Sequence, residues 1–225
     1  MLYNKRAFTL AEVLITLGII GIVAAMTIPT LISNYNERVT VTKVKKMYSV
    51  LSQAVKLAMV ENGVVDQWDL GDTYNVVTAE KLWLYLKPHL RIAHECGGNK
   101  DCYSSAGVKS LSGNNYDTNY NDNTNYFKLI AADGSVLWLR TGSKCSTPDG
   151  GYQNHCGIIW YDIDGVKGAN TFGKDIFVFV ILADGVVPYK QYSSSVSCSK
   201  NEISKYSGLG CSYYIINNGN MNYLH

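Results

Sequence analysis

The feature that most constrains this chain is a long stretch near its start, residues 13–36, that contains no charged side chain. An apolar helix of about twenty residues is long enough to cross the hydrocarbon core of a bilayer. Lys5 and Arg6 come just before the stretch. Cations on that side predict that the N-terminus stays in the cytoplasm and that the rest of the chain is exported.

One acidic residue, Glu12, stands at the start of the apolar stretch. A charge inside a membrane needs either access to the headgroups or a partner. The residues around it, KRAFTLAEVLITLGIIGIVAAMTIP, resemble the N-terminal segment of type IV pilins and type II secretion pseudopilins. In those families a short basic leader precedes Phe-Thr-Leu-x-Glu, and here the resemblance covers residues 5–29.

The resemblance implies how the N-terminus is processed. Residues 1–7 would be a leader, and a prepilin peptidase would cut between Ala7 and Phe8 and methylate the new amino group of Phe8. Ala7 stands where the family usually has glycine. Glu12 would then pair with the terminal amine of a neighbouring subunit, because opposite charges attract strongly in a medium of low dielectric constant.

An ordinary secretory signal is the alternative interpretation of this segment. The small residues VAA at positions 23–25 suit signal peptidase and would release a soluble protein beginning at Met26. Glu12 inside the apolar region argues against it. So does the helical pattern that continues beyond Pro29.

Beyond Pro29 the apolar residues form an amphipathic helical stripe. They recur at spacings of three and four, at Val44, Met47, Tyr48, Leu51, Val55 and Ala58. The pattern predicts one helix from Phe8 to about Asn62, capped by Gly63 and bent or loosened at Pro29. Residues 8–36 would form its membrane and assembly half, and residues 37–63 its amphipathic half.

Residues 64–225 are expected to form one exported domain of ordinary size. A short helix is predicted over residues 78–90, with Thr78 as its N-cap and Pro88 near its end. Strands are predicted over residues 126–131, 135–140, 157–162, 175–182 and 186–189, with Asp-Gly turns at 133–134 and 184–185. A long N-terminal helix on a C-terminal antiparallel sheet is the α+β architecture of the pilins, which this half resembles in layout only.

The cysteines all follow the apolar stretch, at positions Cys96, Cys102, Cys145, Cys156, Cys198 and Cys211. An even number in an exported domain predicts disulfides. The favoured pairing joins neighbours in sequence: 96 with 102, 145 with 156, and 198 with 211. The last would correspond to the disulfide-closed C-terminal loop of the pilins. A metal site at His94, Glu95, Cys96 and Cys102 is the alternative, but it lacks the usual Cys-x-x-Cys spacing.

A loop over residues 162–175 contains three carboxylates, Asp162, Asp164 and Asp175. Calcium prefers such oxygen ligands, but the spacing differs from that of an EF-hand. Lys167 and Lys174 also offset the negative charge. The favoured interpretation is a glycine-rich loop held by Asx turns, with calcium as the alternative and no other cofactor expected.

The rest of the sequence argues against catalysis and against obligatory nucleic-acid binding. His89, His94, His155 and His225 stand in no catalytic motif. The formal net charge is only +2, and the nearest approach to a basic cluster is Lys43, Lys45 and Lys46, which we interpret as a solvated or lipid-facing surface.

The favoured function is therefore a structural one. The chain would be stored in the bacterial inner membrane and assembled with other pilin or pseudopilin subunits into a periplasmic or extracellular filament. The alternative is a binding module, anchored alone or at a filament tip, that recognises glycan, DNA or a protein. Its best support is the tyrosine- and asparagine-rich stretch over residues 112–125.

Overall fold

The computed structural model describes residues 9–71, 74–98, 107–116, 125–142, 145–149, 151–165, 167–168, 170–190 and 197–225. Its helices are α1 (Leu10–Asn62), α2 (Val76–Leu86) and α3 (Cys211–Asn218), with single 3-10 turns at Val65–Gln67, Lys87–His89 and Asn222–Leu224. Its strands are β1 (Ile92–Gly97), β2 (Phe127–Ala131), β3 (Val136–Thr141), β4 (Thr147–Asp149), β5 (Tyr152–His155), β6 (Gly157–Asp162), β7 (Ile176–Leu182) and β8 (Gly185–Pro188). The chain divides into two compact units, Met1–Val39 and Thr40–His225.

The N-terminal unit contains the first part of α1, an apolar helix exposed on every side. From Leu10 to Tyr35 its large apolar side chains are at least 44% exposed, and Leu10 is 81% exposed. This helix is long and apolar enough to cross a membrane, and its most hydropathic window has no buried residue. Pro29 lies inside α1 and does not end it. A helix that is apolar all round needs lipid or other helices as its surroundings.

In the second unit, α1 packs one stripe of its surface into a hydrophobic core. Val44, Leu51, Val55 and Ala58 are fully buried there. The helix ends as the sequence predicted, because Gly63 adopts a φ of 78° and its N–H donates to the carbonyl of Met59 at 2.9 Å. A left-handed glycine satisfies a carbonyl of the last turn that would otherwise lack a donor.

The main sheet is an antiparallel meander in the order β1-β2-β3-β6-β7-β8, and β4 and β5 form a separate hairpin. Successive side chains of a strand point to opposite faces of the sheet, and a hydrophobic core lies on each face. Leu137 and Tyr161, paired across β3 and β6, belong to the core that contains the α1 stripe. The neighbouring pair, Trp138 and Trp160, belongs to a second core on the opposite face. Both faces of the central strands are therefore covered.

The sequence prediction for α2 was wrong at both ends. The N-cap is Asn75 rather than Thr78: Asn75 Oδ1 accepts the N–H of Thr78 at 3.0 Å, and Thr78 Oγ1 accepts the N–H of Asn75 at 3.4 Å. Thr78 is thus the third helical residue of a capping box. The helix ends at Leu86 instead of residue 90, because Pro88 has no N–H to continue it and the chain turns into a 3-10 segment.

Three strands and one helix were not predicted. β1 reads IAHECG and forms an edge strand with two register irregularities against β2, so it shows no clear alternation of apolar and polar residues. β4 and β5 contain three and four residues, which is too short for a periodic signal. α3 has eight residues and buries only Cys211, Ser212 and Ile215.

The structure joins Cys145 to Cys156 and Cys198 to Cys211, which agrees with the pairing of sequence neighbours. Cys96 is buried and disulfide-bonded. Its expected partner, Cys102, lies outside the described residues. An oxidised Cys96 provides no thiolate for the alternative metal site beside His94 and Glu95.

Candidate assembly site

The first turn of α1 holds Glu12 in a reciprocal contact with Thr9. Glu12 Oε2 accepts the backbone N–H and the hydroxyl of Thr9, both at 2.8 Å, and the Glu12 N–H donates to Thr9 Oγ1 at 3.2 Å. This is a capping box, which satisfies N–H groups that the start of a helix leaves without partners. Both residues are exposed.

The capping box gives Glu12 a partner within its own chain, which the sequence analysis missed. The signal was present, since Thr-x-x-Glu before an apolar run is the typical pattern of a capping box. A carboxylate in the first turn is also stabilised by the helix dipole. Ala7 and Phe8, the expected cleavage and methylation residues, lie outside the described residues.

Thr16 and Thr27, two polar residues that follow Glu12, bond their hydroxyls to the backbone of α1. The hydroxyl of Thr16 donates to the carbonyls of Glu12 and Val13 at 2.9 and 3.0 Å. The hydroxyl of Thr27 donates to the carbonyl of Val23 at 2.9 Å. Both hydroxyls are satisfied by the helix backbone, so this surface suits a membrane or a bundle of similar helices.

The acidic loop contains an Asx turn at Asp162, in line with part of the favoured interpretation. Asp162 is fully buried, and its Oδ1 accepts the N–H groups of Asp164 and Gly165 at 3.1 and 3.2 Å. Asp175 Oδ2 accepts the N–H of Thr171 at 3.0 Å. Within the part of the chain that the structure describes, no group of three or more His, Cys, Asp or Glu residues could hold a metal ion.

Burial changes the charge state of this loop. It raises the pKa of Asp162 to about 9, and the neighbouring Asp164 carboxyl adds to the effect. Burial also raises the pKa of Asp175 to about 6. Burial therefore disfavours the ionised form of both carboxyls in this loop.

The other candidate residues are spread over the second unit. Lys43 donates to the carbonyl of Ile163 at 3.0 Å, so it braces the acidic loop instead of facing solvent or lipid as expected. Lys45 and Lys46 are exposed, in agreement with the prediction for that surface. The histidines lie on different elements: His89 on a 3-10 turn, His94 on β1, His155 on β5 and His225 at the C-terminus.

The structure describes only the two ends of the tyrosine-rich stretch on which the binding-module alternative depends. Residues 117–124 lie outside the described residues. Tyr116, at its start, packs edge-on against Phe172 and Tyr206, with ring centroids 4.9 and 5.9 Å apart. This partly buried ring is therefore packed against two other aromatic rings.

Two family models match the chain. One, described as a prokaryotic N-terminal methylation motif, covers residues 2–28 and marks them as a prepilin segment of the type IV pilin or pseudopilin kind. The other, described as a family of unknown function (DUF6613), covers residues 30–208. No curated protein and no solved structure matches the chain.

Proposed function

Since the chain belongs to the family of unknown function that covers residues 30–208 and begins with a prepilin methylation segment, we propose that it is a filament subunit. In this proposal a prepilin peptidase cuts between Ala7 and Phe8, and the mature chain assembles with other pilin-like subunits through α1. The filament belongs to a type IV pilus-like or type II secretion machine.

The observation that carries the proposal is the combination of Glu12 with the exposed apolar helix that follows it. Large apolar side chains such as Leu14, Ile15, Ile19 and Ile20 are 58% to 63% exposed on different sides of α1. In the membrane they contact lipid, and in a filament they contact neighbouring helices. Apolar contacts of this kind are similar in energy in the two settings, so they do not fix the axial position of one helix against another.

Glu12 supplies the axial register in this proposal. Its carboxylate lies in the first turn of α1, close in sequence to the amino group that cleavage at Ala7 would create on Phe8. In a medium of low dielectric constant, pairing with the amine of a neighbouring subunit is favourable only at the correct axial offset. Before assembly, while the subunit is in the membrane, the hydrogen bonds from Thr9 satisfy the Glu12 carboxylate.

The proposal also specifies the location of the two units. Lys5 and Arg6 keep the N-terminus in the cytoplasm, the apolar part of α1 crosses the bacterial inner membrane, and the unit Thr40–His225 is exported. Disulfides such as Cys145–Cys156 are stable in an oxidising compartment, which supports export. The exported unit serves as a structural head without catalysis.

The proposal is tested by the mature N-terminus and by the filaments themselves. Mass spectrometry of the full-length protein, purified from cells that contain its prepilin peptidase, should find a chain that begins with methylated Phe8. Immunogold labelling should then find the protein along the length of sheared filaments. A mature chain that begins at Met26 would contradict the proposal, because it would lack Glu12 and most of the apolar helix.

A further inference from the structure

Helix α3 begins by filling a position that β8 leaves open beside β7. The register between these two strands ends at the pair Phe179 and Pro188. One residue further, the Tyr189 N–H donates to the carbonyl of Val178 at 3.0 Å, but Val178 donates its own N–H to Ser212 Oγ at 2.7 Å. In a continued antiparallel pair that N–H would donate to Tyr189. Ser212 therefore takes the place of a strand at this position.

The next residue of α3 fills the other half of the same position. Tyr213 donates its N–H to the carbonyl of Tyr189 at 3.3 Å, which is the acceptor that Val178 would have used. Val178 and Tyr189 are both buried, and a buried backbone group that loses its hydrogen-bond partner costs free energy. The docked α3 therefore completes the hydrogen bonding of the sheet where β8 ends.

Helix α3 buries few residues of its own. It has eight residues, of which three are buried: Cys211, Ser212 and Ile215. A helix of this length is not stable by itself in water, so α3 depends on its contacts with the rest of the unit. The residues after it add the buried side chain of Met221 and a hydrogen bond of 2.7 Å from the Tyr223 hydroxyl to the carbonyl of Gly173. A small set of contacts thus holds α3 in place.

The disulfide between Cys198 and Cys211 ties the start of α3 to the core. Cys211 is the first residue of the helix and is fully buried. A Cβ placed on Gly173 would lie 2.7 Å from Cys211 Sγ, so the sulfur is packed directly against this turn. Two unbonded sulfur atoms need more room than a bonded pair. The docked position of α3 therefore suits the disulfide better than two separate thiols.

We propose that α3 is a latch that docks only after Cys198 and Cys211 have been joined. The inference rests on the export of this unit, which is part of the proposed function, because such bonds form in an oxidising compartment. The oxidant is a disulfide of that compartment. It accepts two electrons and two protons from the cysteines and becomes two thiols, while the bond between the two cysteine sulfurs forms. The docked helix then closes the position beside Val178.

Amide hydrogen exchange of the detergent-solubilised full chain tests the latch. Val178 donates to α3, whereas Val180, on the same strand, pairs with Val187 of β8. The ratio of the exchange rate at Val178 to that at Val180 reports opening of α3, because a loss of global stability raises both rates together. In Cys198→Ser/Cys211→Ser we expect this ratio to rise about tenfold or more.

Two further variants make the test specific. The matched control is Cys145→Ser/Cys156→Ser, which removes a bridge of similar sequence separation, 11 residues against 13, and should leave the ratio unchanged. Ser212→Ala keeps both disulfides but removes the acceptor of the Val178 N–H. It should raise the ratio about fivefold. An unchanged ratio in Ser212→Ala would show that the contact with α3 does not protect Val178 and would overturn the latch.

The outcomes also separate the latch from the filament proposal. An unchanged ratio in Cys198→Ser/Cys211→Ser would mean that α3 docks without the bond, and an equal rise in Cys145→Ser/Cys156→Ser would mean that the loosening is general. Either result overturns the latch and leaves the filament proposal standing, since exchange is measured without filaments. Absence of filaments from wild-type cells would contradict the filament proposal alone.

Discussion

Thr9 and Glu12 satisfy each other at the start of α1, with the carboxylate of Glu12 accepting two hydrogen bonds from Thr9 and returning one through its own N–H. Glu12 has one observed contact and one proposed contact. Its carboxylate caps the helix within one chain, and we propose that it pairs with the amine of a neighbouring subunit. The first two predictions separate these roles.

Glu12→Gln and Glu12→Val should both leave the protein inserted and processed but should abolish filaments. Glutamine can still accept hydrogen bonds from Thr9, whereas valine cannot, and neither carries the negative charge that pairs with an ammonium group. The yield of sheared filaments is measured, with mass spectrometry as the control for processing. Normal filaments from Glu12→Gln would show that capping alone is sufficient and would refute the proposed charge pairing.

Thr9→Val should loosen the first turn of α1, and Thr9→Ser should not. Valine has nearly the same shape as threonine but lacks the hydroxyl that contacts Glu12, and loss of an N-cap side chain costs about 1 kcal/mol. Amide hydrogen exchange of the detergent-solubilised full chain should therefore be roughly fivefold faster in Thr9→Val at Glu12 and Val13, whose N–H groups donate to Thr9 Oγ1 and to the Thr9 carbonyl. Equal protection in the two variants would mean that the contact contributes no stability.

The stability of the exported unit should fall as the pH rises from about 4 toward 9. The folded state raises the pKa of Asp162 to about 9 from about 4 in the unfolded chain, so it binds more protons over this window. Each rise in pH then favours unfolding, and Asp175, with a pKa of about 6, adds to the slope below pH 6. Thermal unfolding of a soluble segment from Glu37 to His225 measures this slope.

Asp162→Asn is the matched control for the pH experiment. Asparagine keeps an oxygen that can accept the N–H groups of Asp164 and Gly165, but it does not titrate. The melting temperature of this variant should depend much less on pH between 6 and 9. A wild-type protein that becomes more stable over that range would show that Asp162 is ionised in the folded state.

Calcium should have little effect on the melting temperature of the same segment. Asp162 Oδ1 and Asp175 Oδ2 already accept backbone N–H groups, and burial disfavours the ionised form of Asp162 that would bind a cation. Unfolding is measured in millimolar calcium and then in excess chelator. A shift of several degrees that Asp164→Ala abolishes would establish a calcium site.

The disulfides should stabilise local loops. Cys145–Cys156 and Cys198–Cys211 span sequence separations of 11 and 13 residues, for which the chain-entropy model assigns about 2–3 kcal/mol each. Double serine variants of either pair should lower the free energy of unfolding by about this amount. Non-reducing peptide mapping tests the pairing and also the untested prediction for Cys102. A bridge between Cys96 and Cys211 would contradict the Cys198–Cys211 pair and the predicted Cys96–Cys102 pair.

The long helix and the central strands could be predicted because their signals are local and periodic. The α1 stripe from Val44 to Ala58 repeats every three or four residues, and Gly63 marks its end. The Asp-Gly turn at 133–134 separates two β-rich segments, so β2 and β3 were found close to their actual bounds. Hydrogen bonds and apolar spacing within a short window are sufficient for such elements.

What could not be predicted depends on contacts between distant segments. β1 exists because it pairs with β2, about thirty residues later in the chain, and its own residues show no strand pattern. The buried state of Asp162 depends on the packing of its surroundings. At α2, two residues could each have served as N-cap, and only the geometry decides between Asn75 and Thr78.

Adjacent residues of a central strand pack in different cores, because the sheet is covered on both faces. Leu137 lies in the core that contains α1, while Trp138, its neighbour, lies in the core that contains Val108 and Leu209 from the covering loops. A substitution at Leu137 therefore alters the packing against α1, and a substitution at Trp138 alters the packing against the loops. Every second position along a strand can therefore change with the covering loops during evolution while the support of the helix is inherited unaltered.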